Sequence, residues 1–294
     1  MKLIVIVGPT GSRKTEISYR IAKEFDLEII NFDAFQVYKE LNLGINKPSK
    51  KILSEVKHYL INNISIFDEW NIKLFKDKAE EIIDKSKKPM IICGGSNLYV
   101  DALLKNYNLE NIGRENIFEH LSNEELYSKL FELDEKEALK IGKNNKRTLT
   151  RALEIINSKN ILKSDISKHN NKIKYDYFIV FSNPNRAELY EKINKRTEKM
   201  FDENIIKEIK DLDFEKFKNT NASKAIGYKT LIENNLELSD EIIEKIKQES
   251  RNYAKRQTTW IRNKFNVNYE TENFEKDFDE IIKEIRIFLG NKNV

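Results

Sequence analysis

Short apolar runs alternate with amphipathic stretches over the first hundred residues. Residues 2–7, Lys-Leu-Ile-Val-Ile-Val, are rich in β-branched side chains and end directly in Gly8. Lys14 to Glu24 then carries apolar residues at helical spacing, so the chain opens as strand, loop, helix. A second apolar run, Leu27–Ile30, leads into Asn31-Phe32-Asp33, and a third, Met90–Cys93, ends at Gly94-Gly95. Both place polar or glycine-rich turns at strand C-termini, where open α/β sheets bind ligands. Leu74–Lys85 has helical periodicity and suits a crossover between parallel strands. From about Asn106 to Lys146 the pattern changes to charged helices, with Leu121, Leu126, Leu130 and Leu133 as the apolar positions. Tyr175–Phe181 reads as another strand, and residues 186–290 are almost wholly helical by periodicity. The pattern predicts an α/β core over 1–105, a helical insertion over 106–150, and a continuation of the core with a mainly helical C-terminal part over 151–294.

Composition narrows the class only a little. A chain of 294 residues can bury a substantial interior without staples. The single cysteine, Cys93, has no internal partner, which fits a reducing compartment, and its place in a strand pattern suits a small core residue better than a nucleophile. The N-terminal apolar run is far shorter than a signal or membrane segment, so a cytoplasmic protein with no membrane partner is expected. The net charge of +4 is small beside 52 basic and 48 acidic side chains, and local clustering has to decide whether a polyanion binds. His58, His120 and His169 are scattered, with no metal-ligand spacing.

Gly8-Pro9-Thr10-Gly11-Ser12-Arg13-Lys14-Thr15 lies between the first strand and the first helix, the context a phosphate-binding P-loop requires. Backbone N–H groups and the helix N-terminus would bind phosphate oxygens, Lys14 the terminal phosphates, and the Thr15 hydroxyl a Mg²⁺ ion. The expected fold is therefore a P-loop NTPase-like parallel sheet flanked by helices. Arg13 stands where the pattern has glycine. Its side chain either swings outward and adds a cation near the ligand, or obstructs the pocket. The loop alone indicates a polyphosphate ligand and nothing finer.

Further blocks resemble the tRNA dimethylallyltransferases: Asp33-Ala34-Phe35-Gln36-Val37-Tyr38, Gly44-Ile45-Asn46-Lys47-Pro48, Gly94-Gly95-Ser96-Asn97-Leu98-Tyr99, Arg151-Ala152-Leu153-Glu154, Ala225-Ile226-Gly227-Tyr228-Lys229 and Tyr253-Ala254-Lys255-Arg256-Gln257-Thr258-Thr259-Trp260. They fall in family order over nearly the whole chain. The resemblance implies transfer of a dimethylallyl group from its diphosphate to the exocyclic amine of the adenosine immediately 3′ of a tRNA anticodon, with diphosphate leaving. It implies Mg²⁺ as cofactor, dimethylallyl diphosphate and a tRNA anticodon stem-loop as partners, and a monomer large enough to enclose that stem-loop. Three departures stand out: Ser96 for the usual threonine, Thr148 where an arginine is usual, and Lys57-His58-Tyr59-Leu60-Ile61-Asn62 for Pro-His-His-Leu-Ile-Asp.

On this resemblance Asp33 is a catalytic base or acceptor for the adenine amine, although a strand-end aspartate can equally ligate Mg²⁺ or cap a helix. Ser96 would hold a polar contact at the reacting centre, or serve as a turn residue. Arg196 would neutralise the leaving diphosphate, or be a solvated helix charge. An extruded base would meet Asp33, Ala34, Phe35, Gln36 and Ser96, with Phe35 also suited to a core. Arg147 and Arg151, four apart on one helix face, and Lys255 and Arg256 near Trp260, are candidates for the tRNA backbone. Two other functions share these features: an adenylate isopentenyltransferase acting on free nucleotide, and a catalytically impaired tRNA-binding homologue, motivated by Arg13.

Overall fold

The computed structural model describes residues 1–109, 117–166 and 173–290; His169 and part of the predicted insertion lie outside them. Among the described residues six strands form one parallel sheet: β1 (Lys2–Val7), β2 (Ile29–Asn31), β3 (His58–Tyr59), β4 (Met90–Cys93), β5 (Asp176–Ser182) and β6 (Tyr269–Thr271), in the order β3-β2-β4-β1-β5-β6. The helices are α1 (Lys14–Phe25), α2 (Lys50–Glu55), α3 (Ile72–Lys85), α4 (Asn97–Leu104), α5 (Asn123–Leu133), α6 (Glu135–Ile141), α7 (Lys146–Lys159), α8 (Lys163–Ile166), α9 (Arg186–Asp202), α10 (Ile205–Lys210), α11 (Phe214–Phe217), α12 (Tyr228–Glu233), α13 (Asp240–Lys264) and α14 (Phe274–Leu289). The expected fold is present.

Register explains where a site can form. Ile6 pairs with Cys93, Cys93 with Asn31, and Val7 with Phe181, so β1, β2, β4 and β5 end level with one another. The turns that follow them, from Gly8, Phe32 and Gly94, are thereby brought side by side. β1 is buried on both faces, which is why it reads as a continuous apolar run rather than an alternating one. On one face Ile4, Ile6, Ile29, Ile91 and Val180 pack with Ile17 and Ile21 of α1 and with Phe274, Ile281 and Ile285 of α14. Phe75, Ala79 and Ile83 form the buried stripe of α3, and the Phe75 ring stacks on Tyr99 at 5.2 Å.

The chain forms two compact units, one of residues Met1–Leu103 with Tyr175–Val294, the other of Leu104–Lys174. The second unit is wider than the insertion drawn at 106–150, because α7 packs within it. Leu149, Ala152, Leu153 and Ile156 of that helix share a buried cluster with Leu126, Leu130 and Ala138. A capping box between Ser122 and Glu125 starts α5. β6 also departs from the helical reading of 186–290. Its three residues pair with β5, Val180 opposite Tyr269, and are too few to show a period of their own. Among the described residues no helix is long and apolar enough to cross a membrane.

Since α14 closes the sheet with fully buried Ile281, Ile281→Ala should cost about 2–5 kcal/mol of unfolding free energy. Chemical denaturation followed by circular dichroism checks this, and a loss below about 1 kcal/mol would mean that α14 is not part of the core.

Candidate active site

The phosphate loop leaves β1 where backbone crowds backbone. A methyl group on Gly8 would lie 2.5 Å from the Ser182 carbonyl oxygen, so no side chain is tolerated there. The Ser182 hydroxyl donates to the Ser12 carbonyl at 2.6 Å, and Ser12 N donates to Pro9 O at 3.2 Å, closing the loop on the end of β5. Gly11 has φ 82°, and Arg13, the residue that precedes α1, has φ 64° in the left-handed region. A non-glycine residue in that region costs roughly 1–2 kcal/mol, which explains why the usual residue is glycine.

The Arg13 side chain runs outward. Its Nε and Nη2 each donate to Glu16 at 2.7 Å, and Nη2 also donates to Glu275 at 2.7 Å. Glu275 accepts from Arg20 as well, at 2.6 Å. Of the two courses open to this arginine in the sequence, the structure adopts the outward one, with the charge held between two carboxylates and the side chain 37% exposed. Lys14 stays at the loop, where its Nζ donates to Pro9 O at 2.7 Å. Burial pulls the Lys14 ammonium down to about 8; the Asp33 carboxylate opposes that fall and the Arg196 cation adds to it.

Asp33 follows β2 at the next strand end. Its Oδ1 accepts from Phe35 N at 2.9 Å and Gln36 N at 3.3 Å, which turns the chain after the strand in the manner of an Asx turn. Burial raises its carboxyl above the usual carboxylate range, against the pull of those two N–H groups, Lys14 and Arg196. A methyl group on Gly94 would lie 2.7 Å from the Phe32 carbonyl carbon, and one on Gly95 2.9 Å from Asp33 Oδ2. The glycine pair therefore lets the turn after β4 lie flat against Asp33. Ser96 Oγ accepts from Ala34 N at 2.9 Å, which leaves the serine proton to donate elsewhere.

Arg196 arrives from α9, whose Leu189 and Ile193 pack on Ala254 of α13. It bridges two segments: Nη1 donates to Thr10 Oγ1 and Nη2 to Gly44 O, each at 2.9 Å. The Gly44 segment is pinned further by Tyr228, whose hydroxyl accepts from Gly44 N at 3.0 Å and donates to Glu208. Gln36 Nε2 donates to Asn46 O at 2.9 Å, tying the residues after Asp33 to the same segment. The loop 8–15, Asp33–Gln36, Ser96 and Arg196 thus form one connected site in the first unit.

The remaining predicted residues lie elsewhere. Lys255 and Arg256 are exposed on α13, with the Arg256 guanidinium 5.8 Å from the Tyr253 ring centre. Arg147 is exposed on α7 of the second unit, and Arg151, one turn on, donates to buried Glu154 at 3.0 Å. Two site residues had no role in the sequence reading: Gln257 and Tyr253, which bond to the loop and to Gly95 as described below. The available signal was position, since Gln257 falls on the buried stripe of α13 with Ile246, Ala254 and Ile261. Among the described residues no group of three His, Cys, Asp or Glu side chains could hold a metal ion. The Thr15 hydroxyl, in the first turn of α1, is a hard oxygen of the kind Mg²⁺ accepts when a bound diphosphate supplies most of its ligands.

The IPP transferase family model matches residues 36–264. The chain belongs to this family. A tRNA dimethylallyltransferase from Malacoplasma penetrans is 43% identical over 296 aligned residues, covering 99% of each chain. The crystal structure of a full-length tRNA isopentenylpyrophosphate transferase from Bacillus halodurans superposes with a TM-score of 0.74 at 31% identity, covering 99% of this chain and 97% of that one. A eukaryotic dimethylallyltransferase acting on tRNA shares the fold with a TM-score of 0.82 at 24% identity, over all of this chain and 80% of its own. In this IPP transferase the loop 8–15 and the turn after Asp33 are tied together through Arg196 and the Gly44 segment.

Two outcomes follow from this geometry. Arg13→Gly relieves the left-handed strain and removes only exposed ion pairs, each worth about 0–1 kcal/mol, so affinity for inorganic pyrophosphate by calorimetry should stay within about twofold of the parent. A tenfold change would place the guanidinium in the pocket. Protonated Lys14 attracts the anion, and its proton is half lost at about 8 in the free protein, so pyrophosphate affinity should fall as pH rises through that value, with proton uptake on binding. Calorimetry in two buffers of different ionisation enthalpy, compared with Lys14→Arg, whose charge does not titrate, reads that uptake free of pyrophosphate's own proton exchange, and equal proton uptake by the two proteins near pH 8 would contradict the assignment.

Proposed function

We propose that this chain transfers a dimethylallyl group from dimethylallyl diphosphate to the exocyclic amine of the adenosine 3′-adjacent to the anticodon in tRNA, releasing diphosphate. The observation that carries the reading is a buried carboxylate with a raised pKa, Asp33, set within electrostatic reach of Lys14 in the loop and of Arg196, which reaches the loop from α9. A diphosphate in the loop gains the backbone N–H groups at the start of α1 together with both cations. Asp33 accepts a hydrogen bond from the amine and aims its nitrogen at the first carbon of the prenyl group. The N–C bond forms as the C–O bond to diphosphate breaks, and the amine proton passes to Asp33 and then to solvent. A carboxyl held above its usual range suits that proton transfer. Ser96, with its proton free to donate, is placed to hydrogen-bond the reacting groups. Thr15, with diphosphate oxygens and water, would hold Mg²⁺, which supplies further neutralisation of the leaving group when bound.

The base must leave the anticodon stack to reach Asp33, and Ala34, Phe35 and Gln36 are the residues beside it. Lys255 and Arg256 on the first unit, and Arg147 on the second, each offer an exposed cation to the phosphodiester backbone. We assign the chain to the cytoplasm as a monomer. The outward course of Arg13 takes away the main ground for treating it as an impaired homologue.

Incubation with dimethylallyl diphosphate, Mg²⁺ and unmodified tRNA bearing adenosine at the anticodon-adjacent position should yield isopentenyladenosine by mass spectrometry. Asp33→Asn should lower kcat by about 10²–10⁴-fold while leaving tRNA affinity within a few-fold. Faster transfer to AMP than to tRNA in direct competition would replace this reading with that of a free-nucleotide enzyme.

A further inference from the structure

One helix side chain touches both halves of this site. Gln257, on α13, is 4% exposed, and its amide lies between two turns that are far apart in sequence. Its Oε1 accepts from the backbone N–H of Thr10, in the phosphate loop, at 2.8 Å. Its Nε2 donates to the carbonyl of Gly95 at 2.7 Å. Both ends of a planar amide are thereby engaged, and no hydrocarbon side chain of the same length can satisfy either group.

The Gly95 end is the consequential one. A methyl group on Gly95 would stand 2.9 Å from Asp33 Oδ2 and 3.3 Å from Gln257 Nε2, so carboxylate and amide both border the space that a side chain at Gly95 would fill. Two more bonds lock the same turn onto α13. Tyr253, one helical turn before Gln257, donates its hydroxyl proton to Gly95 O at 3.1 Å. Asn97 Nδ2 donates to the Gln257 carbonyl at 3.2 Å. Helix and turn are thus joined at three points, while a single amide oxygen carries the connection onward to the phosphate loop.

We propose that Gln257 is a positioning residue: its side-chain amide fixes the separation between the loop that holds the leaving diphosphate and the turn that seats Asp33. This rests on the function proposed above for its catalytic meaning, and on geometry alone for the clamp itself. Transfer in a near-attack arrangement requires the prenyl carbon and the amine to be held about 3–3.5 Å apart, and a displacement near 1 Å costs about 10²-fold. The diphosphate end of that distance is set by the loop and the amine end by Asp33. Gln257 bonds directly to the first and reaches the second through Gly95. The amide oxygen also occupies an N–H at the mouth of the loop, so it orients the Thr10 peptide before any ligand arrives.

The test compares the full-length parent with Gln257→Met and Gln257→Glu. Gln257→Met keeps the length and removes both bonds. It should lower kcat about 10–100-fold and weaken inorganic pyrophosphate, titrated with Mg²⁺ by calorimetry, at least about fivefold, with tRNA affinity unchanged. Gln257→Glu retains the acceptor for Thr10 N but can donate to Gly95 O only when its carboxyl is protonated. The ratio of its kcat to the parent's should therefore rise as pH is lowered from about 8.5 to about 6. Asp33, Lys14, Arg196 and Tyr253, the titratable groups of the site, are present in both enzymes, so the ratio divides out the parent's own pH profile.

A Gln257→Met enzyme with kcat and pyrophosphate affinity within about twofold of the parent overturns the proposal. So does a pH-independent ratio for Gln257→Glu, which also decides the matter if Gln257→Met fails to fold. A parent that binds pyrophosphate but leaves tRNA unmodified would sink the proposed reaction without touching the clamp. The pyrophosphate affinity of Gln257→Met then decides, a fivefold loss upholding the clamp and an unchanged value overturning it.

Discussion

Everything at this site depends on the closeness of three backbone turns at the ends of β1, β2 and β4. Parallel register ends these strands level, and neighbouring strands lie about 4.8 Å apart, so the turns after them must share very little space. Glycine provides that space where backbone meets backbone: Gly8 against Ser182, Gly94 against Phe32 and Asp33, Gly95 against the Asp33 carboxylate. Once the turns are in contact, their polar groups have to be satisfied by one another or by α9 and α13. Beside Tyr253, which bonds to Gly95, Arg196 and Gln257 are the bridging residues those helices supply. Both are long enough to reach in from a helix and carry more than one hydrogen-bonding atom.

The charges in the site oppose its burial. Lys14 and Arg196 are each pushed toward neutrality by desolvation, and Asp33 is pushed toward its acid form. Asp33 stabilises both cations and is stabilised by them, while the Arg196 cation lowers Lys14 further, so none is independent. The protein also gives each a neutral stand-in partner: Pro9 O for Lys14, Gly44 O and Thr10 Oγ1 for Arg196, the Phe35 and Gln36 N–H groups for Asp33. Carbonyls and hydroxyls are weaker acceptors for a cation than a diphosphate oxygen. The cations are thus held in place, yet can exchange their partners for an anionic ligand at a net gain. That arrangement favours binding a polyanionic group over binding a neutral one.

How much of this could be read from the sequence varies with what fixes each residue. The loop 8–15, Asp33 and Gly94-Gly95 were legible because sterics permits few residue types at a strand end that must turn sharply. The sheet was legible for the same reason, in its long apolar runs. The membership of α7 was not, since the stripe Leu149, Ala152, Leu153 and Ile156 announces a buried face without naming what buries it. β6 was hidden by its three-residue length between two helices. Gln257 was present in a quoted motif and still had no role, because a glutamine in a charged helix resembles its neighbours until its burial is known. Arg147, Lys255 and Arg256 remain surface cations, while Arg151 is turned to buried Glu154.

Arg13 separates two demands that a glycine in a motif usually hides. One is a backbone with positive φ, the other is room for approach. At Gly8, Gly94 and Gly95 the demand is room: the first side-chain atom would already collide with backbone or with Asp33, and no choice of rotamer can help. At position 13 the demand is conformational. The φ of 64° imposes a strain of roughly 1–2 kcal/mol on any residue with a Cβ, but the Cβ leads outward to Glu16 and Glu275. A flexible, always-charged side chain can recover part of that strain through its ion pairs, whereas alanine there would recover none. These positions are therefore unequal, and position 13, where the motif has glycine, is the one where a side chain can be accommodated by a surface contact.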